Sequence, residues 1–228
     1  MCRSNLWEES VNNSQTQIKI LIIDDHALVR EGLAMRLSAQ ADLKVCGEAA
    51  TEEEGFLKFQ EVDPDLVLLD ISLKSGNGID LLKRIRARKP DARVLVISGF
   101  QESLYAERVL RAGALGYLSK QESNDKVLEA IRTVMAGNRY CSAEISQRLI
   151  SHALGTADDK SSIDSLTDRE LEIFRLIGQG LATGEIATRL FLSTHTIDSH
   201  RENIKRKLNL KTAGELTRAA VEWVLQNC

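Results

Sequence analysis

Apolar and polar positions alternate in blocks from Ile18 to about Gly137. Short aliphatic runs occupy 18–24, 43–48, 65–70, 93–98 and 114–118. The first, third and fourth are nearly all Ile, Val and Leu, as in parallel strands covered on both faces. Helical spacing separates the runs: Leu28/Val29/Leu33/Leu37, Leu81/Leu82/Ile85, Leu104/Val109/Leu110 and Val127/Leu128/Ile131/Val134/Met135. Five such βα units predict an α/β domain with a doubly wound, five-stranded parallel sheet. Gly137-Asn138 closes its last helix.

The pattern changes after that. Residues 138–165 read as a linker in which Ser142 to Leu154 forms a short helix with Ile145, Leu149 and Ile150 on one face, ending at Gly155. Thr156 to Ser165 is small and polar, as in a flexible connection. From Leu166 every element reads as helix. Thr167-Asp-Arg-Glu170 is a capping box, followed by Leu171, Phe174, Leu176 and Ile177 on an inner face and a stop at Gly178-Gln-Gly180. Thr183 can cap a second helix with Ile186 and Leu190 inside, and Ser193 a third with Ile197, Ile204 and Leu208 inside. A second capping box, Thr212-Ala-Gly-Glu215, starts a fourth helix carrying Leu216, Ala220, Val221, Trp223 and Val224. Short helices joined by tight turns predict an all-α helix-turn-helix domain over 166–228. Trp223 reads as core ahead of a dimer contact.

The chemistry lies at the strand ends. Ile20-Leu-Ile-Ile23 runs into Asp24-Asp25, Leu66-Val-Leu-Leu69 into Asp70, and Val94-Leu-Val-Ile97 into Ser98; the fifth run stops short of Lys120. In open α/β sheets, ligands bind beyond the carboxyl ends of the strands. Clustered carboxylates repel one another unless a hard cation joins them, and Mg2+ suits an all-oxygen site. Asp70 can then act as a nucleophile toward a phosphoryl group. Lys120 and Ser98 would neutralise and hydrogen-bond its oxygens. His26 reads as an exposed first-turn histidine ahead of a metal ligand.

Composition narrows the reading. The formal net charge of the 228 residues is −3. Residues 18–137 carry 17 Lys/Arg against 19 Asp/Glu, whereas 166–228 carry 9 against 8, with five of those cations between Arg201 and Lys211. A local basic patch binds phosphate backbone even on an acidic protein. Cys2, Cys46, Cys141 and Cys228 have no metal-ligand spacing, which fits reduced thiols in a cytoplasmic protein. No apolar run approaches the roughly 20 residues that span a bilayer, so no membrane role is expected. Residues 1–17 are polar, lack an apolar signal-peptide segment, and read as a disordered arm.

Residues 18–137 resemble the receiver domain of bacterial two-component response regulators. The resemblance rests on IIDDH (22–26), LVLLDISL (66–73), VLVISGF (94–100) and GALGYLSK (113–120). It implies a flavodoxin-like fold, Mg2+ on Asp24, Asp25, Asp70 and the Ser72 carbonyl, and Asp70 as phosphoacceptor. It also implies a switch pair, Ser98 and Tyr117, whose hydroxyl moves to the phosphoryl group while the ring turns inward. Two positions depart from the family's pattern: Lys74 and Gln121 stand where proline is common. A cis bond before Gln121 would cost about 2.5–4 kcal/mol, so a trans bond or a different local loop is expected there.

Residues 166–226 resemble the DNA-binding domain of the NarL/FixJ class, also called LuxR-type, through LTDRELEIFRLIGQGLATGEIATRL (166–190) and LSTHTIDSHRENIKRKLNLKTAGEL (192–216). The resemblance makes 183–190 the positioning helix and 194–208 the recognition helix. On the latter, Ser199 and Glu202 can meet base edges. Thr194, Thr196, Lys205 and Lys207 suit phosphate contacts. Asp198 and Arg201 share the outward face, and His200 reads as packed beside the core. The chain is thus expected to be a phosphorylation-dependent transcriptional regulator, not a turnover enzyme. A sensor histidine kinase, promoter DNA and a second copy of the chain would be partners, with RNA polymerase a further one. Two other readings stay open: a constitutive DNA-binding protein with a phosphate-independent receiver, and a Mg2+-dependent phosphotransferase. A dehalogenase-type phosphatase would want an acid where Ser72 stands.

Overall fold

The computed structural model describes residues 17–73, 77–99, 102–153 and 162–227. Its first part is a five-stranded sheet: β1 (Ile18–Ile23), β2 (Leu43–Ala49), β3 (Leu66–Leu69), β4 (Val94–Ser98) and β5 (Gly116–Ser119), in the order β2-β1-β3-β4-β5. Every pairing is parallel. Helices α1 (Ala27–Ser38), α2 (Glu52–Val62), α3 (Gly78–Arg88), α4 (Glu102–Arg111) and α5 (Asn124–Met135) alternate with the strands. The predicted doubly wound sheet is therefore present.

The period of two along each strand sorts side chains onto two faces. Ile20, Ile22, Leu66, Leu68, Leu95 and Ile97 pack with α1 and α5. Leu21, Ile23, Val67, Leu69, Val94 and Val96 pack with α2, α3 and α4. Central strands buried on both sides explain the unbroken aliphatic runs. Two residues assigned to inner faces are instead exposed: Leu28, at 84%, and Ile150, at 58%. Each stands next to a residue that does pack, Val29 or Leu149. Neighbours on a helix lie about 100° apart, and at these two places the buried stripe takes in only one of the pair.

The segment after α5 does more than connect. Tyr140 bridges to Gly116 on the outer edge of β5, with Tyr117 N donating to Tyr140 O (2.9 Å) and Tyr140 N donating to Leu115 O (2.9 Å). This covers an edge that would otherwise present unpaired backbone groups. Gly116 permits the approach, because a Cβ there would lie 2.8 Å from Tyr140 O. The short helix follows as α6 (Ala143–Ala153), with Ile145 buried and packed into the α4 side of the core. Residues 154–161 lie outside the described residues, as do Lys74 and most of the N-terminal arm. Ser162–Ser165, the end of the stretch expected to be flexible, forms a 3₁₀ turn. No peptide bond among the described residues is cis, so the bond before Gln121 is trans.

The second part contains α7 (Asp168–Gly178), α8 (Thr183–Leu190), α9 (Thr194–Lys207) and α10 (Ala213–Asn227). The Thr167/Glu170 capping box forms as predicted. Ser193 caps α9 by accepting from Thr196 N. The cap of α8 differs. Thr183 is its first helical residue, and Glu185 reaches back to accept from Ala182 N at 2.7 Å. At α10, Thr212 accepts from Glu215 N, but Glu215 reaches to Lys211 N, one residue earlier than a capping box requires. Trp223 packs on Phe174, ring centroids 5.7 Å apart.

Replacing Gly116 with valine is expected to push Tyr140 off the sheet edge. The loss should be about 1–3 kcal/mol, an overpacking cost, read from urea unfolding. Faster amide exchange at Tyr117 would accompany it.

Candidate functional site

The pocket follows from strand register. β1 and β3 are adjacent and in step, Ile23 opposite Leu69, so the next residues, Asp24 and Asp70, emerge side by side. Asp70 N donates to Ile23 O at 2.8 Å. The chain leaves β1 toward β2 on one side and returns to β3 on the other. The two aspartates therefore sit at the topological switch point, where ligands of such sheets bind. Across β3, Ser98 ends β4 and Lys120 follows β5, with Lys120 N donating to Ser98 O at 2.8 Å.

Lys120 Nζ lies 2.6 Å from both Asp24 Oδ2 and Asp70 Oδ2. All three side chains are largely buried. Burial works to lower the Lys120 pKa. The Asp70 charge and hydrogen bonds to Asp24 and Asp70 outweigh it and hold the ammonium above the ordinary lysine range. The second Asp70 oxygen, Oδ1, accepts from Ser72 N (3.0 Å) and Ser72 Oγ (2.7 Å). Gly78, at the start of α3, supports this loop from behind: a Cβ there would come within 2.4 Å of Asp70 O. Asp24, Asp25, His26 and Asp70 present ligand atoms within 4.8 Å of one another. Half of the His26 side chain is exposed, yet its Nδ1 faces Asp25 Oδ1 at 2.7 Å. The carboxylate donors fit a hard divalent cation. Ser98 is fully buried, and so is Tyr117, whose ring joins the core beneath α4. The ring thus already occupies the inward position that the resemblance associates with switching.

The helical domain presents α8 and α9 as a helix-turn-helix. Ile197 and Ile204 anchor α9. Thr194, Asp198, Ser199 and Glu202 are exposed, while Thr196, Arg201, Lys205 and Lys207 are half-buried. Several outward groups already have partners. Ser199 Oγ donates to His195 O, Thr196 Oγ1 pairs with Ser193 Oγ, and Lys205 pairs with Glu202 at 2.8 Å. Lys207 turns away from the outer face to Glu170, Nζ to Oε2 2.6 Å. His200 is half-buried.

A family model described as "Response regulator receiver domain" matches residues 20–132. Another, described as "Bacterial regulatory proteins, luxR family", matches 164–220. Oxygen regulatory protein NreC of Staphylococcus aureus (strain MRSA252) is 36% identical over 211 residues, covering 90% of this chain and 97% of that protein. NreC of Staphylococcus carnosus (strain TM300) is 35% identical over the same shares. The chain belongs to the LuxR-type response regulators.

Solved structures agree with this assignment. A LuxR-family two-component response regulator from Aurantimonas sp. SI85-9A1 is 31% identical with a TM-score of 0.56, covering 61% of this chain and 99% of that one. RcsB from Salmonella enterica serovar Typhimurium, bound to promoter P1flhDC in the presence of phosphomimetic BeF3-, shares the fold. It has a TM-score of 0.63 at 24% identity, and the match covers 90% of this chain and 98% of that one. The expected family, fold and role as a transcriptional regulator with a receiver input are borne out.

What the sequence did not reveal is how the LuxR-type domain sits on the receiver. The first turns of α7 dock on α3 and α4. Arg108 of α4 donates to Leu166 O (2.7 Å), Ile163 O (3.2 Å) and Asp168 Oδ1 (3.3 Å). Lys83 of α3 reaches Asp168 Oδ2 at 2.8 Å. Asn77 Nδ2 donates to Glu172 Oε2, which also accepts from Arg169. Tyr105 of α4 is buried against α7. Burial pushes its phenol up to about 12, while the Arg175 guanidinium and its hydrogen bond work in the opposite sense. One signal was available. Arg175 falls among Leu171, Phe174, Leu176 and Ile177, and it is buried with them; a cation within an apolar stripe calls for a partner from elsewhere.

Two outcomes are expected. Arg108→Ala removes three hydrogen bonds at this junction, charged ones worth about 1.5–3 kcal/mol each. The domains should then separate, seen as a larger radius of gyration by small-angle scattering with receiver helicity retained. The second concerns Glu170. Burial pushes its carboxyl up, but Lys207 and Thr167 hold it below the ordinary value of 4.5. A depressed carboxyl contributes stability that is present above the ordinary value and lost as pH falls through the folded one. Glu170→Gln should therefore lower the melting temperature at pH 7 and flatten its decline below about pH 4.5, checked by melts across pH.

Proposed function

We propose that this regulator stores a phosphoryl group on Asp70, received from a sensor histidine kinase, and uses it to free its LuxR-type domain for promoter DNA. The observation that supports this best is Lys120 bridging Asp24 and Asp70 at the switch point of the sheet. An ammonium so placed can follow charge as it passes to a phosphoryl oxygen. Asp70 Oδ forms the new P–O bond as the donor histidine's P–N bond breaks, and the electron pair stays on the imidazole nitrogen. Positioning and charge neutralisation carry most of such a transfer.

Asp24, Asp25, Asp70 and the Ser72 carbonyl would hold Mg2+, whose chemistry is to neutralise phosphoryl oxygens. Ser98 would donate to one of those oxygens. Lys120, once drawn to the phosphoryl group, would leave Asp24. The receiver's own chemistry is limited to gaining and losing its phosphoryl group.

The output runs through α4. Tyr117 packs beneath it, and Tyr105 and Arg108 on it hold α7. A move of the Ser98 hydroxyl toward the phosphoryl group, with the Tyr117 ring held inward beneath α4, would tilt α4 and weaken that grip. The phosphoryl group must favour the released state by its own contacts, or it would shift nothing. Once the domain is free, Thr194, Thr196 and Lys205 would contact phosphates, and Ser199 and Glu202 base edges, with Asp198 and Arg201 beside them; Lys207 stays with Glu170 of its own domain. A homodimer would read paired half-sites in the cytoplasm, with RNA polymerase a further partner. No helix among the described residues is long and apolar enough to cross a membrane.

Incubated with a small phosphodonor and Mg2+, the wild-type chain should gain acid-stable, base-labile phosphate, and Asp70→Asn should gain none. Promoter retention in a gel shift should rise only for the wild type. Absence of uptake by the wild type would sink the phosphorelay reading. Uptake with unchanged DNA binding and dimerisation would favour the constitutive one.

A further inference from the structure

A cavity of about 350 Å³ lies between the two domains at the mouth of the phosphoacceptor pocket. One wall is the receiver's, with Asp25, Ser72 and Lys120; the other belongs to the LuxR-type domain, with Glu172, Arg175 and Arg189. The charges on the second wall are unequal in availability. Glu172 is held by Arg169 and Asn77. Arg175 is buried against Tyr105. Arg189, on α8, is exposed and forms no ion pair among the described residues, yet it lines this cavity.

Phosphoryl transfer is roughly in line, so the leaving group sits on the far side of phosphorus from the attacking oxygen. Asp70 is buried, and the Lys120 and Ser72 groups on its two oxygens line the cavity, so the far side faces the LuxR-type wall opposite them. A guanidinium offers a planar fork that matches a carboxylate. Of the small phosphodonors, an acyl phosphate leaves as a carboxylate.

We propose that Arg189 reaches from the LuxR-type domain into the mouth of the receiver pocket as a donor-specificity residue, holding the carboxylate leaving group of a small acyl phosphate. The inference rests on Asp70 being the phosphoacceptor. The Asp70 Oδ–P bond forms, the acyl O–P bond breaks, and the electron pair goes to the acyl oxygen. The carboxylate departs without a proton, and no further reactant is needed. A phosphoramidate leaves as ammonia, which offers the fork nothing to accept.

The test compares initial rates of Asp70 phosphorylation by acetyl phosphate and by phosphoramidate, in full-length protein with Mg2+. The ratio of the two rates should fall about three- to fivefold in Arg189→Ala, the upper scale of one exposed charged pair. Arg189→Lys should recover part of it, since charge remains and the fork is lost. Arg108→Ala, which undocks the domain, should lower the ratio in the same direction. A general structural effect would move both rates and leave the ratio alone. If wild type is labelled and Arg189→Ala keeps the wild-type ratio, the proposal is wrong. If neither donor labels wild type or Asp70→Asn, the phosphoacceptor reading itself fails and takes the proposal with it.

Discussion

Everything in this molecule depends on bringing like charges together at the ends of parallel strands. Asp24, Asp25 and Asp70 converge because β1 and β3 run in register across the switch point. Such a cluster raises the free energy of the fold unless positive charge reaches it. Lys120 supplies that charge from a third strand end, two positions away in the sheet. The aliphatic strands beneath are buried on both faces and hold these groups in place. The rigid sheet keeps the groups close, and the mutual repulsion leaves them responsive to any change of charge.

That responsiveness matters because the pocket is roofed by the other domain. Helix α7 rests on α3 and α4, and α8 contributes Arg189 to the cavity above Asp70. The domains therefore meet on the side of the sheet where the chemistry happens. By linkage, if the phosphoryl group loosens the docked domain, loosening the domain must equally favour the phosphoryl group. The hydrophobic core is continuous across this junction, taking in Tyr105 and Ile145 of the receiver part together with Leu171, Phe174 and Ile186.

The sequence carried most of the sheet and the polar groups at its strand ends, Asp24, Asp25, Asp70, Ser98 and Lys120, though not the wall that Glu172, Arg175 and Arg189 add. The strand-end signal is local and chemical: an aliphatic run, then a carboxylate. Helix starts were legible wherever a hydroxyl caps, as at Thr167 and Ser193. They slipped by one residue where a glutamate alone reaches back, as Glu185 does to Ala182. Leu28 and Ile150 were misplaced because adjacent apolar residues on a helix cannot be ranked without knowing where the sheet lies. The docking of the domains was not legible. Its contacts pair residues far apart in the chain, such as Arg108 with Asp168, and each charge read singly looks solvated. Lys207 is similar: its basic patch suggested DNA, whereas its ammonium is engaged with Glu170.

The anchoring of α6 has a consequence for how freely the LuxR-type domain can leave. Because the chain is pinned at the β5 edge by Tyr140 and again on α4 by Ile145, only nine residue steps, from Ala153 to Ser162, join the anchored helix to the LuxR-type part. Nine residue steps of chain reach at most about 30 Å, whatever path they take. A short tether of that kind keeps an effective concentration in the millimolar range. The released domain thus stays a close competitor for its own docking surface. DNA or a second copy must outbid a neighbour that never diffuses away, so the switch acts by degree, through the balance of two tethered encounters.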